Sequence, residues 1–276
     1  MNPVVAFQGE RGAFSEEAAR KLIAETIEVK PCATFDDVFD AVKSGDATCA
    51  VVPIENSLAG SVLRNYELLA SADLTITAEL FLPIRLNLIG RPGARLEDIR
   101  RVSSHPVALA QCHRFIAAHA LEARPAYDTA GSVKLLMEQG SAGEAAIAGR
   151  AAAEIYGAEI LAESIEDHPE NFTRFLLLMP ASSSAVRPSP NMKTTLLFRT
   201  PNKPGALFRA LAAFALRDIN LTKLESRPIE GRPWEYSFYA DLAGDAADPN
   251  VARAIEHLRE MCETVRVLGT YGAGAV

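Results

Sequence analysis

The chain has 276 residues, 49% of them hydrophobic and 23% charged, with a formal net charge of −7. That length leaves room for two domains, and that apolar share fills a substantial core, which excludes general disorder. An acidic balance with no long basic run excludes a nucleic-acid or membrane-surface binder, so an anionic ligand needs a local cationic pocket. No segment approaches the length of a membrane span, and MNPVVAFQGERGAFS has no basic leader ahead of an apolar stretch, so the expected location is the cytoplasm. Cys32, Cys49, Cys112 and Cys262 show neither CxxC nor metal-ligand spacing and are expected to be reduced thiols, with no metal site among them.

In chain order, Val4 to Phe7 reads as a short apolar strand feeding the loop QGERGAFS. A helix follows over Ser15 to Ala24, with Ser15 as its N-cap and Glu16 and Glu17 in its first turn. Gly9 and Gly12 let backbone N–H groups approach a ligand, but no third glycine and no Lys-Ser/Thr follows, which argues against nucleotide binding. Thr34 and Asp37 form a capping-box pattern before Phe35, Val38, Phe39 and Val42, and Ser44-Gly45 closes that helix. Cys49 to Pro53 is a buried strand, IENSLAGSV the loop after it, and Leu74 to Leu88 an extended apolar stretch.

Strands and helices then alternate: Arg101 to Ser103, a helix opened by Pro106, a strand near Arg124, a helix from Gly131, AAIAG, a helix around Glu154 and AEILA. The alternation predicts parallel sheets with helices on their faces and a ligand site beyond the carboxyl ends of the strands. Phe175 to Met179 reads as another core strand, and the Ser/Pro-rich PASSSAVRPSPNM as a linker. KTTLLFRT, PGALFRALAAFALRD, INLTKLESRP, WEYSFYADLAG, VARAIEHLREMCE and TVRVLGTYG then give strand, helix, strand, strand, helix, strand, the split βαβ pattern.

Four polar stations fall where a strand ends or a helix begins: Gly9 to Ser15, Glu55-Asn56-Ser57, Ser104-His105-Pro106 with Gln111, and Asn171 to Phe175. Each has a purely structural explanation. Glu55 and Asn56 suit a turn after Pro53, Ser104 suits a cap for the Pro106 helix, Thr129 suits helix initiation, and Arg174 suits a charge that reaches water. His105, directly before Pro106, suits a cap and is left out of the catalytic set.

Taken together, GERGAFS, VPIENS, SHPVALAQC, DTAGS, AAIA and NFTRF, followed by PGALF and ESRP, closely resemble prephenate dehydratase over nearly the whole chain. The resemblance implies an α/β catalytic domain with two lobes, similar to a type II periplasmic binding protein, over residues 1–179. A linker over 180–192 and a βαββαβ ferredoxin-like ACT domain over 193–276 follow, with Leu80 to Asn87 and the strand from Thr173 as hinge crossings. The implied reaction converts prephenate to phenylpyruvate, carbon dioxide and water, with no metal or organic cofactor.

By the same resemblance Thr173 donates to the departing hydroxyl, and Glu55, Asn56, Ser104 and Gln111 complete the catalytic set. A threonine hydroxyl is far too weak an acid to ionise near neutral pH, so it acts as a positioned donor. Ser57, Thr129, Arg174 and Phe175 are the implied substrate-binding residues, Arg174 either clamping a carboxylate bidentately or bracing the site. Val107 stands where the family commonly has glutamine, which predicts one polar contact fewer.

In the ACT region, Gly205, Ala206 and Leu207 at a helix start and Glu225, Ser226, Arg227 and Pro228 at a strand end are the implied phenylalanine site. Such a site, shared between chains, implies a homodimer or homotetramer. No space precedes Val4 for a chorismate mutase domain, so prephenate is expected from a separate enzyme. The competing expectations are an arogenate dehydratase, which the motifs do not separate, and a non-catalytic amino-acid sensor, which Thr173 disfavours. An exported solute-binding protein is disfavoured by the missing signal peptide.

Overall fold

The computed structural model describes residues 2–24, 26–183, 189–229 and 231–275. One compact unit holds the residues up to Leu68 together with Leu80–Leu177, and the other holds Leu69–Glu79 and Leu178–Ala275.

The first lobe of the first unit is built from β1 (Val4–Gln8), α1 (Phe14–Leu22), β2 (Glu28–Cys32), α2 (Phe35–Ser44), β3 (Cys49–Asn56), β4 (Gly60–Ser61), the start of α3 (Leu63–Ser71) and the end of β5 (Leu74–Pro83), whose residues Leu69–Glu79 belong to the other unit. Its second lobe carries β6 (Asn87–Gly90), β7 (Arg101–Ser104), α4 (Pro106–Gln111), α5 (His113–Ala118), β8 (Glu122–Pro125), α6 (Thr129–Gln139), β9 (Glu144–Ala148), α7 (Arg150–Tyr156) and β10 (Glu159–Ala162). The chain returns to the first lobe as β11 (Phe172–Pro180). The first sheet has the order β2-β1-β3-β11-β5 with β4 beside β3, and the second has the order β10-β6-β9-β7-β8.

Local chemistry explains most boundaries. Thr34 and Asp37 form the expected capping box, and Gly45 ends α2 in the left-handed region. The helix at Pro106 forms as expected, with Pro at its first position.

Several expectations are corrected. Ser15 does not cap α1: Ala13 holds that position, and the Gly12 N–H is satisfied by the buried carboxylate of Glu16 at 2.9 Å, leaving Ser15 inside the first turn. The helix expected from Gly131 begins at Thr129, because Asp128 caps it by accepting the Gly131 N–H. IENSLAGSV is not a loop throughout. β3 runs to Asn56 and β4 pairs back onto it, with Glu55 opposite Ser61. The second sheet is mixed and not parallel, since β6 runs antiparallel to both β9 and β10. The helix α3 had no counterpart in the sequence reading. The middle of the expected linker, 184–188, lies outside the described residues.

The chain crosses between lobes at Ile84–Leu86 and again at 163–171, and the two crossings are laced together. Ile84 N–H donates to Asn171 O at 2.8 Å, Ile165 N–H to Leu86 O at 2.8 Å, and Leu86 N–H to the Glu166 carboxylate at 2.9 Å. Phe7 and Ala13 of the first lobe share a buried cluster with Ile89, Ala130, Val133, Ala148 and Ala152 of the second. Gly12 has φ +84°, and a Cβ there would stand 2.7 Å from Ala152 Cα, so only glycine permits this approach.

The second unit contains β12 (Met192–Arg199), α8 (Ala206–Ala215), β13 (Leu221–Ile229), β14 (Arg232–Ala243), α9 (Pro249–Met261) and β15 (Thr264–Gly272), with sheet order β13-β14-β12-β15. Alternation along β12 divides its side chains. Leu196 and Phe198 pack with Ala210, Phe214, Ala254 and Leu258 of the helices. Lys193 and Thr195 belong to the other face. There Lys193 Nζ donates to Glu79 Oε1 at 2.5 Å, and the same carboxylate accepts the Gly274 N–H at 2.9 Å. Among the described residues, no helix is long and apolar enough to cross a membrane.

Candidate active site

A cleft of about 780 Å³ opens between the lobes, a size suited to a small molecule. It is lined by the first turns of five helices: Phe14 and Ser15 of α1, Phe35 and Asp36 of α2, Arg64 of α3, Val107 and Ala108 of α4, and Thr129 of α6. Each helix start presents outward N–H groups and a partial positive charge. The N–H groups of Phe14, Ser15 and Thr129 have no acceptor among the described residues. The cleft of an acidic chain is thereby made receptive to anions without a cluster of basic side chains.

At the hinge side a ring of amides holds Thr173. Asn56 shares its two amide hydrogens among Asn171 Oδ1 at 2.8 Å, Thr173 Oγ1 at 2.9 Å and Phe172 O at 3.1 Å. Asn171 Nδ2 donates to Gln111 Oε1 at 3.0 Å, and Gln111 Nε2 donates back to Asn56 Oδ1 at 3.2 Å. The same Asn56 oxygen accepts the N–H groups of Leu58 and Ala59, which shapes the turn into β4. Asn56 thus serves both the turn and Gln111 with its oxygen and holds Thr173 with its nitrogen.

Because Thr173 Oγ1 accepts from Asn56, its own hydrogen is available to donate. It has no acceptor for that hydrogen among the described residues, and the side chain lines the cleft. Phe175, two residues along β11, lines the cleft as well.

The structure therefore brings Asn56, Gln111, Thr129, Thr173 and Phe175 to one cleft. The other four expected residues do not line it. Ser104 is fully buried, with Oγ donating to Ile147 O at 2.6 Å, and it caps nothing. Glu55 sits in the β3–β4 hairpin, outside the lining. Ser57 Oγ donates to Glu170 O and accepts the Phe172 N–H, both at 3.0 Å, and so pins the start of β11. Arg174 follows Thr173 on a strand and faces the opposite side of the sheet, its guanidinium 6.0 Å from the Phe81 ring centre.

His105 does line the cleft and does cap: Nδ1 accepts the Val107 N–H at 3.3 Å, which puts the ring proton on Nε2. Burial lowers its pKa, so the ring is neutral near pH 7. Val107 lines the cleft with an apolar side chain, as expected.

Sequence reasoning missed Asp36, Arg64, Tyr127 and Asp128. Asp128 accepts the Gly131 N–H and, across the lobes, the Glu10 N–H at 3.2 Å, and burial raises its pKa despite these bonds. Gln8 Nε2 reaches Tyr127 OH at 3.0 Å across the same divide. An aspartate directly before Thr129 was a readable cap signal. Arg64 carried no signal, since a lone arginine early in an amphipathic helix reads as solvated. In the structure it grips Asp36 through Nε and Nη2, and these bonds hold the Asp36 carboxyl below the usual carboxylate range.

Two lobes on two sheets around an anion-receptive cleft, followed by a four-stranded split-βαβ unit, define a binding-protein-like α/β catalytic domain with a ferredoxin-like regulatory domain. The family model described as prephenate dehydratase matches residues 5–183, and the model described as ACT domain matches 194–260. The chain belongs to the prephenate dehydratase family, whose enzymes are carbon-oxygen lyases of aromatic amino-acid biosynthesis.

The Arabidopsis thaliana protein named arogenate dehydratase/prephenate dehydratase 2, chloroplastic, is 43% identical over 278 residues, covering 97% of this chain and 72% of that one. A Komagataeibacter europaeus protein named bifunctional N-acyl-homoserine lactone acylase/prephenate dehydratase is 39% identical over 270 residues, covering 98% and 96%. Among solved structures, the prephenate dehydratase from Arthrobacter aurescens in complex with L-Phe superimposes with a TM-score of 0.90 at 35% identity, over 98% of this chain and 90% of that one.

Proposed function

We propose that the chain converts prephenate to phenylpyruvate, carbon dioxide and water at the cleft between its lobes, and that phenylalanine regulates it through the ACT domain. The observation that carries the reading is the Thr173 hydroxyl, whose acceptor side is occupied by Asn56 and whose hydrogen is left to donate into the cleft. In the reaction the electrons of the bond to the departing carboxylate close the aromatic ring as the ring C–O bond breaks. The hydroxide that leaves takes up one proton and departs as water. Thr173 supplies the hydrogen bond that stabilises the developing charge on that oxygen, while Asn56, Asn171 and Gln111 fix its position. The free N–H groups of Phe14, Ser15 and Thr129 favour the dianion.

The reading divides the chain into a catalytic domain over 1–179, a linker over 180–192 and a regulatory domain over 193–276, consistent with the family matches. Support for an effector site comes from Gly205, which stands at the N-cap of α8 with φ +74°, and from the Leu207 N–H, which has no acceptor among the described residues. Ala206 and Leu207 would carry the carboxylate of phenylalanine, with Glu225, Ser226, Arg227 and Pro228 of β13 as the second wall. β13 is an edge strand, and Phe208, Leu224 and Trp234 are exposed nearby in sequence, which supports pairing with a second copy. The assembly is a homodimer or a homotetramer, and the enzyme acts in the cytoplasm.

The test is phenylpyruvate formation from prephenate near neutral pH by the full chain, with and without phenylalanine and beside an enzyme-free control. Turnover that phenylalanine changes supports both domains. A folded protein inert toward prephenate and toward its amino counterpart, yet binding phenylalanine, would make the chain a sensor.

A further inference from the structure

The helix α3 is shared between the two compact units: Leu63–Leu68 belong to the first and Leu69–Ser71 to the second. Its nine residues form a rod about 13 Å long. The entry of the rod lies at the cleft, where Val62 and Arg64 are part of the lining. The exit is held by β15. Arg266 donates Nη1 to Ala70 O at 3.1 Å and Nη2 to Ala72 O, at the end where a helix leaves its carbonyls without intrahelical partners. α3 has no basic residue in its own last turn, so Arg266 supplies the cation that complements the negative end of its dipole. Just beyond, β5 lies so close to the same strand that a Cβ at Gly269 would collide with Ile76 O. β15 in turn pairs with β12, Arg266 opposite Leu197, and β12 ends at Arg199, shortly before Gly205 at the start of α8. Within α3, Asn65 is fully buried. Its Nδ2 donates to Pro53 O at 2.6 Å, but its Oδ1 has no donor among the described residues. An orphan acceptor is unfavourable in an interior, so this setting of the helix leaves something to be gained by a small movement.

We propose that α3 is the rod through which the effector acts on the cleft, and that Arg266 is the positioning residue that joins it to the regulatory sheet. An effector at the start of α8 shifts β12 and with it β15. Arg266 passes the shift to the end of α3, and the start of α3 moves the cleft wall at Val62 and Arg64. Such coupling rests on the phenylalanine-regulated dehydratase reading and adds to it the element that carries the signal. The effector does this only by binding one setting of α3 better than the other, so the helix must have two settings, and the orphan Asn65 acceptor belongs to one of them. Arg266 touches neither ligand in this scheme. Its loss uncouples the two sites and leaves each able to bind.

The experiment takes the full chain as wild type, Arg266→Gln, Arg266→Lys and Arg259→Gln, the last an exposed arginine of α9 paired with Glu256. For each, calorimetry gives the Kd for phenylalanine, and kcat/KM for prephenate is measured with and without saturating phenylalanine. Phenylalanine should change kcat/KM of the wild type and of Arg259→Gln by a factor in the usual allosteric range, about 5 to 150. In Arg266→Gln the factor should fall below about twofold, with Kd for phenylalanine and the unliganded kcat/KM each within about threefold of the wild type. Arg266→Lys keeps the charge without the two-pronged grip and should fall between. If the glutamine variant does not fold, the lysine variant decides by the same criterion. A folded Arg266 variant that responds fully to phenylalanine overturns the inference. So does one that no longer binds phenylalanine, since Arg266 would then belong to the effector site itself. A wild type inert toward prephenate overturns the dehydratase reading, and an active one that binds phenylalanine without response overturns regulation and coupling together.

Discussion

The cleft gathers a ring of neutral amides, Asn56, Gln111 and Asn171, around one hydroxyl, whereas the second unit buries a full charge pair, Glu79 and Lys193. In the ring, Asn171, Gln111 and Thr173 each keep one hydrogen that no other member of the ring takes, and the one on Thr173 belongs to a hydroxyl that lines open space. In the pair, the Glu79 carboxylate is met by Lys193 and by the Gly274 N–H, in a setting where its side chain is fully buried. Neutral groups can leave a hydrogen unmatched at little cost, because a hydroxyl beside a cleft can turn to water until a ligand arrives. A buried carboxylate has no such freedom, since an unpaired ion away from water is severely penalised. The first arrangement suits a site that must exchange partners. The second suits a joint that must keep them.

The contrast can be broken most severely at the pair. Lys193→Met takes the Lys193 cation away from the buried Glu79 carboxylate and should lower the unfolding free energy by about 3–5 kcal/mol, read from urea titrations. A variant as stable as the parent would show that the pair carries no such weight.

Next in size is the hydroxyl of the ring. Thr173→Ala should cost about a hundredfold to a thousandfold in kcat, the usual effect of deleting a transition-state donor, with little change in melting temperature. Thr173→Ser keeps the donor and should recover most of the rate. A near-normal rate for the alanine variant would remove Thr173 from the mechanism. The smallest effect is expected one step further out. Gln111→Met leaves Asn171 Nδ2 without its acceptor, which should cost about 1–3 kcal/mol of stability. Asn56 still holds Thr173, so kcat should drop only modestly, far less than in Thr173→Ala.

Much of this was legible in the sequence because it is encoded locally. The capping box at Thr34 and Asp37, the stop at Gly45 and the helix opening at Pro106 need only neighbouring residues. The order of elements in the ACT region followed from periodicity. The parity of β11 was also in principle readable: Thr173 and Arg174 are adjacent on a strand and cannot face the same side. What escaped depends on partners far along the chain. Ser104 looked like a cap and instead donates to Ile147, and the Asp36–Arg64 pair joins two helices that nothing in the sequence brings together. The antiparallel entry of β6 was hidden for the same reason. Its neighbours β9 and β10 come more than fifty residues later, β9 after the helices α4, α5 and α6 and β10 after α7 as well.

The Glu79–Lys193 joint has a consequence for anyone who divides the gene. The dehydratase family match ends at Ser183, a natural place to stop a shortened protein, yet Glu79 lies inside that span and both of its named partners, Lys193 and Gly274, lie beyond it. A fragment cut there would deprive the buried Glu79 carboxylate of Lys193 and of the Gly274 N–H, on β5, the strand that runs on to Pro83 at the hinge. Graft boundaries for chimeras with other ACT domains are better chosen so that the recipient supplies a cation at the position of Lys193.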